Sequence, residues 1–412
     1  MKKLFFTSIF AAVVLFSSQT VFTSCEDEKE TDTIVKVVTI KDTTMIEVSA
    51  NITENTTWKT GKTYVLTTRV AVIAGVTLTI QPGVIVKGNA GNAENATALI
   101  IARGAKIMAE GTATSPIVFT ASADNIKPGE VIGSAKLSED LNGLWGGLIV
   151  LGNAKISGKS ASLQIEGIPA SDINGLYGGD KDDDNSGVIK YVSIRFGGAN
   201  IGEGNEINGL TLGGVGSGTV IENVEIVGNQ DDGIEWFGGS VSVKNALVWN
   251  AGDDAIDTDQ AWSGTLDNFI VISPGDECFE LDGGEGSFNA MHTIMNGSID
   301  AIGAEGLADL DALDTTKRNA TSFVTMKNIY FFNVDSTSIG AQDFDDNPVG
   351  CVITDLEATF KSSKAVTKNY FKKGTDAVVT KVELKANTKG ADKSKFVGWT
   401  MADKYGKLAD YK

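Results

Sequence analysis

The sequence predicts an all-β protein built as a single-stranded right-handed parallel β-helix, and two repeating patterns support this. Asparagine recurs at intervals of 22 and 23 residues, in Asn223, Asn245 and Asn268. Acidic segments recur at the same intervals, beginning at Asp231, Asp253 and Asp276. The two patterns therefore share one register, and about 22 residues suit one coil of three short strands and three turns.

The residues between these columns predict the interior of the coils. Aliphatic and aromatic side chains recur in the same register, in Ile226, Val248 and Val271, and again in Ile234, Ile256 and Phe279. We expect these side chains to stack inside the solenoid, and the asparagines to form a hydrogen-bonded ladder at a turn. No sustained helical period occurs between residues 56 and 350, which disfavours βαβ architectures.

The first 24 residues have the layout of a secretory signal peptide. Lys2 and Lys3 precede an apolar run over residues 4–16, which is too short to span a membrane. The small residue Ser24 directly precedes Cys25, an arrangement that resembles the lipobox of bacterial lipoproteins and implies an acylated Cys25. The acidic run over residues 26–30 resembles the surface-export signal of Bacteroidota lipoproteins. These resemblances imply a lipid-anchored protein on the outer face of the outer membrane.

Composition divides the rest of the chain into three parts. Residues 25–55, rich in Thr, Val and acids, are predicted to be an extended tether. Residues 56–350 are predicted to form the β-helix. Residues 351–412 contain 13 lysines and 7 acids, and we interpret them as a lysine-rich final coil and cap.

Four segments carry a wider resemblance. Residues 76–88, 109–122, 145–154 and 184–198 resemble the recurring motifs of the parallel β-helix lipoproteins of Bacteroidota. The resemblance implies the fold and the cell envelope, and it supplies no catalytic residues. The segment Gly398–Ala402 resembles the C-terminal ending of that family, so we expect it to cover the open end of the solenoid.

The net charge and the distribution of acidic residues limit the classes of ligand that the chain can bind. The formal net charge is −18, which argues against nucleic acid because phosphate binding needs a basic surface. Between residues 229 and 285 there are 13 acids and one base, and stacked carboxylates without His or Cys are the ligands that calcium prefers. The predicted calcium ligands are Asp231, Asp253, Asp257, Asp276 and Glu280. The alternative is a solvated acidic surface.

The same acids carry an enzyme hypothesis. The doubled Asp motif at residues 231–232 and 253–254 resembles that of polygalacturonases, which implies Asp232, Asp253 and Asp254 as the acid and base of an inverting hydrolysis. The Gly-His-Gly and Arg-x-Lys motifs of those enzymes are missing. His292 lies near the asparagine column, where we expect a ladder position rather than a general base.

Tryptophans beside the acidic columns suggest a surface on which sugar rings stack, formed by Trp236, Trp249 and Trp262. Three functions therefore remain open. The chain binds a glycan or an envelope partner along an acidic, calcium-loaded face; or it cleaves a polysaccharide as a hydrolase or lyase; or it is a structural or adhesive surface protein.

Overall fold

The computed structural model describes residues 44–200, 207–311, 321–335, 344, 350–372 and 374–412. The predicted signal peptide, Cys25 and the first part of the predicted tether lie outside the described residues. Within the described part of the chain, no helix is long and apolar enough to cross a membrane.

Two parallel sheets run through the described part of the chain. The long sheet has 15 strands, which are Met45–Val48, Thr56–Trp58, Thr63–Leu66, Thr77–Ile80, Ile85–Gly88, Lys106–Glu110, Ile117–Ala121, Gly187–Arg195, Val220–Asn229, Val243–Ala251, Thr265–Ile272, His292–Asp300, Val324–Val334, Val352–Phe360 and Val379–Lys381. The short-strand sheet has eight strands, which are Val70–Val72, Leu99–Ile101, Leu148–Leu151, Leu210–Gly213, Ile234–Phe237, Ile256–Asp259, Glu280–Leu281 and Asp309–Leu310. Neighbouring strands in both sheets are parallel, so the predicted parallel β-helix is confirmed.

The remaining elements are small. An antiparallel pair joins Leu163–Gln164 to Leu176–Tyr177. One short α-helix spans Met401–Lys404, and 3-10 turns occupy Ala93–Asn95, Ile173–Gly175, Thr367–Asn369, Thr375–Val378, Lys393–Lys395 and Lys407–Asp410.

The asparagine ladder is confirmed and explains how the long strands bend. Asn245 Nδ2 donates to Asn223 Oδ1 at 3.0 Å, and Asn268 Nδ2 donates to Asn245 Oδ1 at 2.7 Å. All three residues have φ between +57° and +60°, a conformation that asparagine tolerates better than most residues. A left-handed residue in mid-strand turns the chain from one face of the coil to the next. The asparagine column continues with Asn296, which donates to Asp267 instead of Asn268, and with Asn328, which donates to Asn296.

The predicted interior is also confirmed. Ile226, Val248 and Val271 pair in register and are at most 1% exposed. Ile234, Ile256 and Phe279 are fully buried in the same core. Core packing thus follows the 22-residue period, because each coil repeats the inward positions of the coil before it.

The solenoid begins before its predicted start and continues into the predicted final coil. Met45–Val48 pairs with Thr63–Leu66, and Ile52 bridges to Val72, so the second part of the predicted tether belongs to the first coil. At the other end, Val352–Phe360 pairs with Val324–Val334 and continues the ladder beyond residue 350. The predicted start at residue 56 is therefore too late, whereas Val352–Phe360 lies in the segment predicted to be the final coil.

The insertion is the segment 152–186, between the strands Leu148–Leu151 and Gly187–Arg195. It covers part of the short-strand sheet from outside. Its side chains Ile156, Ile165 and Tyr177 pack on Ile149 and Phe237 of that sheet and form a second, smaller hydrophobic cluster. Further along the sheet, the corresponding outward positions are acidic, and the insertion supplies Glu166 near their edge.

The C-terminal strap, residues 387–412, lies along the side of the long sheet. Thr388 and Lys389 donate their backbone N–H groups to Glu357, and Ala391 donates to Ser298 Oγ. Met401 and Ala402 then donate to Glu225, several coils away. The expected cap over the open end is therefore wrong for this segment, because its donors and apolar rings are matched to the lateral face.

Candidate functional site

The acidic face is the outer surface of the short-strand sheet and the turn that precedes it, between residues 231 and 311. Side chains alternate along each strand, so Ile234 and Trp236 point into the core and Glu235 points outward. In register, Glu235 pairs with Asp257, Asp257 with Glu280, and Glu280 with Asp309. Four carboxylates of four successive coils therefore form one outward column.

A second acidic column occupies the turn just before these strands. The backbone N–H of Asp254 donates to Asp232 Oδ1 at 3.1 Å, and the N–H of Glu277 donates to Asp254 Oδ1 at 2.6 Å. Each carboxylate thus accepts a hydrogen bond from the next coil. These hydrogen bonds hold the Asp232 and Asp254 side chains against the turn, and both side chains are buried.

Two carboxylate triads form where the columns meet. The outer triad, Asp231, Asp232 and Asp253, has one oxygen from each residue within 4.8 Å of the others, with Asp253 exposed and Asp231 half-buried. The inner triad consists of Asp232, Glu235 and Asp257, meets the same distance limit and is entirely buried. Two carboxylates 4.8 Å apart repel by ~3.5 kcal/mol at an effective dielectric of about 20. Asp232 belongs to both triads.

Burial raises the pKa of every member of the inner triad. For Asp232 the next cause is the nearby charge of Asp257, and for Glu235 it is also Asp257. The pKa of Asp257 is raised well above its usual value by burial and then by Asp259. Low dielectric and like charge act in the same direction here, and both favour a neutral carboxyl or a bound cation.

Acids outside the two triads also have raised pKa values. Burial raises the pKa of Asp254 to about 11, with a hydrogen bond that the protonated Asp254 carboxyl donates to Glu280 as the second cause. It raises the pKa of Glu277 to about 8, that of Asp259 to about 7 and that of Asp282 to about 8. The neighbouring charges that contribute to these shifts are all acidic.

An asparagine contacts the inner triad from the preceding coil. Asn208 is 1% exposed, and its Nδ2 donates to Glu235 Oε2 and, at 3.4 Å, to Glu166 of the insertion. Its Oδ1 is buried without a hydrogen-bond partner. The amide therefore meets the acids through its donor nitrogen, which partly compensates the Glu235 carboxylate.

The structure brings together only part of the predicted calcium set. Asp231 and Asp253 meet in the outer triad, and Asp257 lies in the inner one. Asp276 and Glu280 belong to neither triad. Their places are taken by Asp232 and Glu235, which lie nearer the bend between turn and strand.

Three residues of the site are missing from the sequence prediction, namely Glu235, Asn208 and Glu166. Asn208-Gly209-Leu210 repeats Asp232-Gly233-Ile234 at an interval of 24, so the register contained a signal for Asn208. Glu166 lies in the insertion, outside the repeat, and no periodic signal indicates it.

The predicted catalytic acids lie in the same cluster. Asp232 and Asp253 share the outer triad, where their oxygens approach within 4.8 Å, whereas an inverting pair is separated by about 6.5–9.5 Å. Asp254 contacts Asp232 through its backbone N–H. The arrangement resembles a cation centre more closely than it resembles a pair that holds a water molecule between acid and base.

The predicted sugar-stacking surface is wrong, because all three tryptophans are buried. Trp236 and Trp262 stack on each other with ring centroids 4.6 Å apart inside the solenoid. Trp249 is covered by Tyr405 and Lys407 of the C-terminal strap. These rings are therefore occupied by contacts within the chain rather than presented to a ligand.

His292 also has an interior position. It begins the strand His292–Asp300, is 2% exposed, and lies 5.1 Å from the Trp262 ring. Burial lowers its pKa to about 3, so the imidazole is neutral. The expected ladder position for His292 is wrong, and Asn296 occupies that place.

Comparison with known proteins bears on the fold. The family model described as a pectate-lyase-like beta helix domain matches residues 50–403. A search of curated proteins finds no match.

Proposed function

This chain belongs to the pectate-lyase-like β-helix family, and we propose that it binds calcium at the outer triad of its acidic face and, through that ion, a glycan at the cell surface. The observation that carries the proposal is the convergence of Asp231, Asp232 and Asp253 from two successive coils. Like charges at this spacing are stabilised when a cation lies among them.

The donor set favours calcium over other metals. The outer triad offers carboxylate oxygen only, without imidazole or thiolate, which suits a hard cation. Asp253 is exposed, so the ion would face solvent and would have coordination positions that protein atoms do not fill. Calcium accepts six to eight oxygen ligands, and hydroxyl groups of a sugar can complete such a shell.

The ligand class follows from the chemistry of the face. Its tryptophans are buried, so recognition would depend on oxygen atoms rather than on ring stacking. Glycan is therefore the first candidate, and an envelope protein that presents backbone or side-chain oxygens is the alternative. The lipid anchor at Cys25 and the place on the outer membrane remain part of the proposal and rest on the sequence alone.

A glycan array of the purified chain, read in millimolar calcium and in EDTA, tests this function. We expect binding that depends on calcium and is lost in Asp253→Asn. Asp276→Asn removes an acid of the same face outside both triads and should leave binding intact. Binding that is equal in EDTA, or equally weakened by both variants, would contradict the proposal.

Polysaccharide hydrolysis is the second candidate, and the raised pKa of Asp254 favours it. A carboxyl that stays protonated at neutral pH can act as a general acid. Reducing-end release should be measured on each glycan that binds. Turnover that Asp254→Asn abolishes, with binding retained, would place hydrolysis first.

Attachment is tested separately. Cys25→Ala should move the chain from the membrane fraction to the soluble fraction, because it removes the predicted acylation site. Membrane retention of that variant would reject the lipoprotein prediction and would leave the calcium centre unaffected.

A further inference from the structure

We infer that the lateral face, the side of the long sheet under the C-terminal strap, is an interaction surface for a second copy of this chain. In the structure the strap lies on its own solenoid. In the inferred pair the two copies exchange straps, so that each lateral face receives the strap of the other copy. The inference goes beyond the proposed function and does not depend on the ion or the glycan.

The strap docks through groups that lie far along the chain from their partners. The Ala402 N–H donates to Glu225 at 2.9 Å, over a separation of 177 residues. Trp399 is 1% exposed and packs edge-on against Tyr191, with ring centroids 5.5 Å apart. Because the strap is the end of the chain, a strap from another copy reaches the same groups without threading through a loop.

The hinge turn, residues 383–386, leads into the strap and is short and exposed. All four residues are exposed, and the Ala386 N–H donates to the Glu383 carbonyl oxygen at 2.9 Å. Lys385 is the third residue of this turn and has φ +65°, a conformation that glycine or asparagine usually adopts there. Short turns under strain favour exchange of the segment that follows them, because opening the turn relieves the strain.

An exposed apolar side chain lies on the same turn. Leu384 is 43% exposed, and Val382 just before the turn is half-buried. When the hinge turn opens, the connections of the two copies run side by side, and Leu384 of each copy is covered by the other. Exchange therefore preserves the contacts between strap and face and adds an apolar contact that the single chain lacks.

A second copy is the occupant that the lateral face fits, because the face is matched to this strap. Glu357 accepts the backbone N–H groups of Thr388 and Lys389, and Ser298 accepts that of Ala391. Another copy brings the same donors in the same order. The exchanged pair would carry two acidic faces, which would raise its avidity for a ligand of repeated units.

The oligomeric state of hinge variants tests the inference on the full chain. After incubation at high concentration near the urea midpoint and return to buffer, native mass spectrometry should detect a wild-type dimer. Deletion of Leu384 and Lys385 should give mainly dimer, because the strap cannot turn back onto its own solenoid. Lys385→Gly relieves the strain and should lower the dimer fraction by about fivefold. Asp410→Asn removes the ion pair with Lys385 without altering the turn, and this control should match the wild type.

Mixing two variants shows whether the dimer forms by exchange. Trp399→Ala weakens the strap and keeps the face, whereas Glu225→Gln weakens the face and keeps the strap. Each variant alone should lose its strap to limited proteolysis. In the mixture the strap of the Glu225→Gln chain should be protected, since it docks on the intact face of the other chain. Glu357→Gln removes the acceptor of Thr388 and Lys389 and replaces Glu225→Gln if that variant fails to fold.

The outcomes decide the inference independently of the proposed function. A wild type that stays monomeric after this treatment overturns it, as does a turn-deleted variant that stays monomeric. A dimer whose mixture gives no protection of the strap also overturns it, because the copies then associate through another surface. Equal dimer fractions for Lys385→Gly and Asp410→Asn would show that the hinge turn does not drive exchange. Binding of calcium or glycan is measured separately and is unaffected by these results.

Discussion

The protein buries carboxylates on two outer faces, and it compensates them in opposite ways. Under the C-terminal strap, Glu225 is 0% exposed and accepts the backbone N–H groups of Met401 and Ala402, both at 2.9 Å. It also accepts from Ser193 Oγ at 2.6 Å and lies 3.7 Å from the Arg195 guanidinium. On the acidic face, Glu235 is 5% exposed and is surrounded by other acids.

The comparison shows that burial alone does not decide what a carboxylate does. Glu225 and Glu357 lie in one outward column of the long sheet, and the strap brings donors to both. Those hydrogen bonds lower the pKa of Glu357 despite its burial. Among the described residues, the acids of the other face have no such strap, and their convergence within 4.8 Å is the observation that supports a ligand from outside the chain.

The largest test of this comparison is to neutralise one buried carboxylate on each face. Glu225→Gln leaves the Arg195 charge buried without its partner, and we expect a loss of about 3–5 kcal/mol in the free energy of unfolding. Glu235→Gln, measured in EDTA at pH 8, removes the cost of protonating on folding a carboxyl that is ionised in the unfolded chain, and should raise that free energy. Urea unfolding of both variants measures the sign of each change in the free energy of unfolding.

A surface pair supplies the control for this test. Glu222 contacts Lys190 at 3.3 Å, and both side chains are at least a third exposed. Glu222→Gln should change stability by no more than about 0.5–1 kcal/mol. Equal losses for Glu225→Gln and Glu222→Gln, or a loss for Glu235→Gln, would contradict the account of the two faces.

The strap is expected to depend on one close backbone approach. Gly390 has φ +118°, and a Cβ there would lie 2.4 Å from Ser298 Oγ. Gly390→Ala should therefore cost about 1–3 kcal/mol and expose the strap to limited proteolysis. Gly398 also has positive φ, but a Cβ added there would have nothing within 4 Å, so Gly398→Ala should be the milder change. Indistinguishable cleavage of the two variants would show that the close approach is unimportant.

The last test of the comparison is the pH dependence of stability. The pKa of Asp282 is raised to about 8, so its folded state binds the proton more tightly than the unfolded chain does. Its contribution to stability is present below the unfolded value of about 3.9 and is lost as pH rises through about 8, by at most ~1.4 kcal/mol per pH unit. Asp282→Asn should flatten that loss in EDTA.

The stability that Glu357 contributes changes with pH in the opposite direction to that of Asp282. Its pKa is lowered, so its contribution is present above the unfolded value of about 4.3 and is lost as pH falls through the folded value. Glu357→Gln should flatten the acid limb of the stability curve and leave the alkaline limb unchanged. If Asp282→Asn and Glu357→Gln change the same limb of the curve of stability against pH, these assignments are wrong.

The sequence was sufficient where the architecture is periodic. Asn223, Asn245 and Asn268, and the core residues Ile234 and Ile256, were predictable because each coil repeats the environment of the previous one. The burial of Trp236 followed from the same periodicity, since it lies two residues after the inward Ile234 in one strand. The interpretation of Trp236 as a ligand surface ignored that alternation.

The parts that the sequence did not predict depend on contacts between distant segments. The Ala402 N–H reaches Glu225 over a separation of 177 residues, and no local pattern indicates that the strap folds back. The choice of Asp232 and Glu235 over Asp276 and Glu280 depends on how side chains converge at a bend, which equal spacing along the chain does not specify.

Calcium-dependent unfolding tests the central claim about the acidic face most directly. An ion that binds only the folded chain adds RT ln(1 + [L]/Kd), about 2.7 kcal/mol at a hundredfold excess over Kd. The account predicts that the wild-type chain unfolds at higher urea concentration in millimolar calcium than in EDTA, and that Asp232→Asn removes the difference. Coincident midpoints in calcium and EDTA, or equal stabilisation by magnesium, would contradict it.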